Sequence, residues 1–293
     1  MSKTKRRFVD AHMHLWDSAA NDWYAFPVPG GDDFGMNLAL PKAFPDPFRL
    51  DDYLAALGDV EVVKTVHVTA VGPPAHVEAE SRWISQIAKE RGLPSAIIGT
   101  VDTELAHAEI EAVLDREMRD PLYRGIRFLG GLDYDSAVAD VALRALAKRN
   151  LVYDAVAHPG GGIAALAGAL GRYEDLVVVL EHTGWPLSDD MDTFHRWREE
   201  MTALAKVPNA NVKLSGLPMF VHRTDMEIHR RYFDACLGLF GADRCMFGSN
   251  FPVDFVYTGF TDLLGVFEAV AADAGEADGA KLFGGTAERV YRI

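Results

Sequence analysis

Residues 10–16 read Asp10-Ala11-His12-Met13-His14-Leu15-Trp16 and continue the apolar pair Phe8-Val9. In an extended strand, side chains two apart lie on the same side. His12 and His14 therefore aim both imidazoles one way at the C-terminal end of a first strand. Two converging imidazoles suit a divalent transition metal. Outward from this strand, at residues 8–12, seven more short apolar runs follow, at 62–69, 96–101, 125–129, 152–157, 176–181, 212–214 and 245–248. Most are rich in Val, Ile or Leu without strict alternation, the pattern of parallel strands buried on both faces. Helical patterns separate them at 50–57, 77–91, 105–118, 136–149, 163–170, 192–206, 225–240 and 261–272, with a last helix at 286–291.

Eight alternations of strand and helix predict a (β/α)8 TIM barrel, one domain over residues 1–293. A doubly wound open sheet is the alternative. The barrel is preferred because the count is eight and polar residues gather just after the strands, where barrels carry their sites. Gly160-Gly161-Gly162 matches no phosphate-binding fingerprint. The stretch 17–49, after strand 1, holds Pro27, Pro29, Pro41, Pro45 and Pro47. Its aromatics are Trp23, Tyr24, Phe26, Phe34, Phe44 and Phe48. A loop this long inside a compact domain is usually functional. It is expected to form a lid or a subunit contact, or else to pack its aromatics on the barrel surface. A second copy of the chain thus stays open as a partner.

The whole chain narrows the function classes. A net charge of −14 over 293 residues argues against a nucleic-acid binder, which needs a basic stripe, and against docking on an anionic membrane. No apolar run approaches the ~18 residues of a membrane span, and the basic start Met1–Arg7 is not followed by a signal core. Two cysteines, Cys236 and Cys245, in apolar contexts point to buried free thiols and a cytoplasmic location.

Several strand-end motifs accompany the His-x-His pair. They include Glu80-Ser81-Arg82-Trp83, Tyr123-Arg124-Gly125-Ile126-Arg127, Ala157-His158-Pro159 and Glu181-His182-Thr183-Gly184-Trp185-Pro186. Further on come Val212-Lys213-Leu214-Ser215-Gly216, Gly248-Ser249-Asn250-Phe251-Pro252-Val253-Asp254 and the ending Gly285-Thr286-Ala287-Glu288-Arg289-Val290-Tyr291-Arg292. In this order, through most of the chain, they resemble the amidohydrolase superfamily, in its branch of metal-dependent hydrolases, lactonases and non-oxidative decarboxylases. The resemblance implies a divalent metal, zinc or manganese, at His12 and His14. It implies that His182 lies at the metal or orients the reacting group, and that His158 is the strand-5 ligand of decarboxylase-like members. Some lactonase-like relatives manage without metal.

Arg127, after strand 4, with His222 and Arg223 after strand 7, would suit a carboxylate-bearing small molecule. Pairing with Asp10, Glu181 or other acids is the alternative for these cations, and the favoured one for Lys213. The departure from the family pattern is Asn250, where hydrolases of the superfamily usually carry aspartate. An amide orients water but cannot act as a general base. Asp254 is a substitute base or a cap of the next helix. Three functions follow as expectations. The first is metal-dependent hydrolysis of a lactone or similar cyclic ester of a small anionic compound, and the second is non-oxidative decarboxylation of an aromatic or unsaturated acid. The third is a catalytically degraded barrel serving as a binding or partner subunit.

Overall fold

The computed structural model describes residues 6–24, 26, 29, 30, 38–70 and 74–293. Pro27 and Phe34 of the long loop and residues 1–5 of the basic start lie outside the described residues. Eight parallel strands, β1 (Arg7–Met13), β2 (Glu61–Val68), β3 (Ala96–Gly99), β4 (Tyr123–Arg127), β5 (Val152–Ala155), β6 (Val178–Leu180), β7 (Ala210–Leu214) and β8 (Cys245–Phe247), pair in that order. The ring nearly closes through the chain just beyond β8. Asn250 N–H donates to His12 O at 2.9 Å, and His14 N–H donates to Phe251 O at 2.8 Å. The seam of the barrel is therefore made at the His-x-His stretch itself.

The helices are α1 (Leu50–Leu57), α2 (Val77–Arg91), α3 (His107–Glu117), α4 (Ala137–Lys148), α5 (Gly162–Leu170), α6 (Met191–Leu204), α7 (Leu217–Val221), α8 (Met226–Phe240), α9 (Phe260–Ala274), α10 (Glu276–Ala280) and α11 (Thr286–Tyr291). Their starts follow from capping chemistry. Ser136, Asp190 and Asp225 each accept N–H bonds from the first turn of α4, α6 and α8. The sequence did not signal α7 or α10, which are five residues each, too short for a helical period to show. No helix among the described residues is long and apolar enough to cross a membrane.

The core has two parts. Most buried residues sit between the strands and the helical shell. A separate cluster fills the barrel, with Val9, Val66, Ile98, Val152, Val179 and Met246 drawn from six strands. Ala287, Val290 and Tyr291 of α11 belong to that cluster and plug the end where the strands begin. Along β1 the interior parity switches. Val9 and Ala11 join the inner cluster, and the β1–β2 register slips between Asp10 and Met13, where the parity changes so that His12 and His14 face the polar column. A bulge of this kind re-aims side chains beside a site. Gly248 makes room for the result, since a Cβ there would stand 2.9 Å from His12 Cβ.

Candidate active site

A column of polar side chains rises through the barrel from the plug to the mouth. The Tyr291 hydroxyl donates to Asp154 Oδ1 at 2.8 Å, and Asp154 is ion-paired with Lys213. Lys213 Nζ lies 3.2 Å from His12 Nδ1, which is also 3.5 Å from Glu181 Oε1. Glu181 Oε2 pairs with Arg127 Nη1 at 3.2 Å, and Arg127 Nη2 donates to the carbonyl of Thr69. Every charged member is buried, so each charge depends on its neighbour. The expected pairing of Lys213 with an acid is found, with Asp154 as the acid.

At the top of the column three imidazoles meet. His12 and His14 approach with Nε2 atoms 3.2 Å apart. His14 Nδ1 is 2.7 Å from Val68 O, which fixes the proton on Nδ1 and leaves Nε2 as a lone pair. His182 stacks obliquely on His12 with ring centroids 4.4 Å apart, and Ser215 Oγ holds its Nδ1 at 3.0 Å. Burial, then Lys213, keeps His12 neutral well below its ordinary pKa, and burial, then Arg127, does the same for His14 and His182. Burial raises the Glu181 carboxyl, and Arg127 opposes this.

Potential ligand atoms of His12, Glu181 and His182 all lie within 4.8 Å of one another. Glu181 Oε1 is buried without a hydrogen-bond partner. An orphaned carboxylate oxygen among neutral imidazoles is a donor set that fits a divalent cation. The neighbouring ammonium of Lys213 opposes such a charge, and Glu181 offsets it.

The backbone is tightly turned here. His182, Thr183, Trp185 and Asn250 all take left-handed φ of 49° to 58°, a conformation that non-glycine residues adopt at a cost and that clusters at functional sites. Gly216, at φ +73°, has no Cβ because one would fall 2.6 Å from the His182 ring.

The imidazoles open into a cavity at the mouth, lined by His14, Arg127, His182 and Asn250 together with apolar residues. The described part of the long loop folds over it. Trp16 packs on Phe26 at 4.3 Å and on Phe44 at 5.7 Å, and all three line the cavity.

Other residues named from the sequence lie elsewhere. His158 packs edge-on against Trp185 at 5.0 Å, its Nδ1 without a partner, and is outside the His12–Glu181–His182 group. His222 is exposed and stacked on Tyr257, and Arg223 is exposed and paired with Asp189 and Asp225. Neither lines the cavity. Asp254 is fully buried and accepts from Asn250 Nδ2 at 3.0 Å, with burial pushing its carboxyl well up. It does not cap the next long helix, α9, whose N-cap is Gly259. It anchors Asn250 from behind. Sequence reading passed over Glu181 as a ligand, although a carboxylate directly before His182 at a strand end was the available signal. It also passed over Glu80, which is buried and ties Tyr24, Thr69, Ala70 and His67 together beside the mouth.

A family model described as amidohydrolase matches residues 9–293. The L-fucono-1,5-lactonase of Burkholderia ambifaria is 30% identical, with 97% of this chain and 95% of the relative covered. An uncharacterized protein of Sinorhizobium fredii is 29% identical over 97% of this chain and 98% of its own. Among solved structures, an amidohydrolase from Burkholderia multivorans matches with a TM-score of 0.80 at 22% identity, covering 98% of this chain and 99% of that one. Its zinc-bound crystal form gives 0.78 at 23%, with the same coverage.

Proposed function

The chain belongs to the amidohydrolase family, and from that premise we propose that it opens a lactone or related cyclic ester by hydrolysis. The observation that carries this is the meeting of His12, His14, Glu181 and His182 beneath a cavity that His14 and His182 themselves line. The lactonase named among the relatives supports the reaction class. His12, His14 and Glu181 would hold a divalent metal, as the zinc-bound relative encourages, and it would supply Lewis-acid polarisation of the ester carbonyl while the His182 lone pair stays free for a proton.

The protein's own groups have separable tasks. His182 is neutral, and Ser215 orients its ring. Its imidazole takes a proton from the water attacking the carbonyl carbon and gives it to the ring oxygen as the acyl C–O bond breaks, yielding a hydroxy acid. Glu181, with Oε2 3.8 Å from His182 Nε2, stabilises the transient imidazolium. Arg127 Nε is buried without a partner on a residue that lines the cavity, and it donates to the developing oxyanion. Asn250, held by Asp254, orients water and takes no proton.

Incubation of purified protein with a panel of lactones and of aromatic carboxylic acids tests this. Acid release with ring opening and no carbon dioxide is expected. Carbon dioxide release without ring opening would favour the decarboxylase reading, and inactivity throughout would favour a binding subunit.

A further inference from the structure

We infer that the substrate is an uncharged lactone bearing an apolar, alkyl or aryl, substituent, and not a polyhydroxylated or carboxylate-bearing one. This rests on the lactonase reading above and adds the substrate class. Among the described residues the cavity's polar lining is His14, Arg127, His182 and Asn250, carried at strand ends, with the indole N–H of Trp185. The rest is apolar. Trp16, Phe26, Leu38 and Phe44 come from the loop after β1, Met219 from α7, and the Trp185 ring and Val253 from later loops. Among the described lining residues there is no carboxylate and no hydroxyl-bearing side chain. Away from those few polar groups, each hydroxyl of a sugar-type lactone would lose water against an apolar wall, a penalty of roughly tenfold in binding per group.

The cations give a second, independent argument. A carboxylate is recognised through the paired donors of a guanidinium fork. Both terminal nitrogens of Arg127 are already engaged, one by Glu181 and the other by the Thr69 carbonyl. Glu181 thereby already matches the charge of Arg127, and of the N–H groups near the cavity Arg127 Nε and Trp185 Nε1 are each buried without a partner. Isolated donors match the carbonyl and ring oxygens of a neutral ester. His222 and Arg223 lie outside the cavity.

Two measurements on the purified protein test this. The first compares kcat/KM for six-membered lactones carrying a pentyl chain, a fused benzene ring, a carboxylate or several hydroxyls. The alkyl and aryl lactones are expected to exceed the others by at least a hundredfold. Faster opening of the hydroxylated or carboxylated lactone overturns the substrate class and leaves the lactonase reading standing. The second follows tryptophan fluorescence, since Trp16 and Trp185 line the cavity, during titration with pentyl-substituted and polyhydroxylated lactams that cannot be opened as esters. A saturable change with the pentyl lactam alone is expected. If no lactone is opened but the pentyl lactam binds, the lactonase reading fails and the apolar ligand class survives. If the pentyl lactam does not bind, the inference is overturned.

Discussion

The barrel interior and its roof are built on opposite chemistries. Inside, Tyr291, Asp154, Lys213, His12, Glu181 and Arg127 form a buried polar column in which each group stands against the next. Over the mouth, Trp16, Phe26 and Phe44 pack ring on ring and offer a ligand mostly hydrocarbon. The column is carried largely by strands, whose register fixes side-chain position. The roof is carried by loops, which can change without disturbing the ring of strands. Reaction and selection are thereby assigned to separate parts of the molecule, and substitutions in the two should fail differently.

The largest contrast is expected at the top of the column. His182→Ala should lower kcat by about 10²–10⁴ on every lactone turned over, with little change in KM, because it removes a proton carrier. A loss confined to KM would move His182 from the chemistry to the selecting wall.

Deeper in the column the effect should appear as stability. Asp154→Asn leaves Lys213 buried without its counter-charge and should cost about 3–5 kcal/mol in denaturant unfolding. The double change Asp154→Leu with Lys213→Met should recover much of that. A single-mutant cost below about 1 kcal/mol would mean that the column is not held together by its charges.

In the roof, Phe44→Ala should raise KM for an apolar lactone by roughly tenfold, leave kcat nearly unchanged and spare the fold. A matching fall in kcat would erase the division between the two regions.

A group outside both regions gives a control, with no effect on turnover. Glu117, on α3, is buried and its carboxyl is pushed up to about 7 by loss of hydration. The folded chain then holds a proton that the unfolded chain releases above about pH 4.5. Its contribution to stability is full below that pH and is lost as pH rises through 7. Glu117→Gln should flatten this dependence and gain up to about 3 kcal/mol at pH 8, with kcat unchanged. An unaltered pH profile of unfolding would remove Glu117 as its cause.

How far the sequence spoke follows the same division. The eight strands were legible because apolar runs are local signals. His12 and His14 were legible because a two-residue spacing puts them on the same side, even though a register slip between Asp10 and Met13 changes the parity of the strand. The partnership of Asp154 with Lys213 was not, since the two are 59 residues apart and meet only when β5 and β7 close into a ring. His222 and Arg223 looked like mouth residues. The unforeseen α7, ended by His222 at φ 56°, leaves both exposed, one stacked on Tyr257 and the other paired with acids. His158 was placed correctly at the end of strand 5, yet Trp185 packs against its ring, and no local pattern foretells that contact. Loop direction depends on long-range packing, which a single sequence encodes only weakly.

The central claim is that the mouth cluster directs water at an ester carbonyl. Its most direct test is the opening of a pentyl-substituted six-membered lactone by the wild-type protein in ¹⁸O-enriched water, with the product analysed by mass spectrometry. The account predicts one labelled oxygen in the carboxylate of the hydroxy acid and none in its alcohol. Label in the alcohol, or no opening above the rate in buffer, would contradict it.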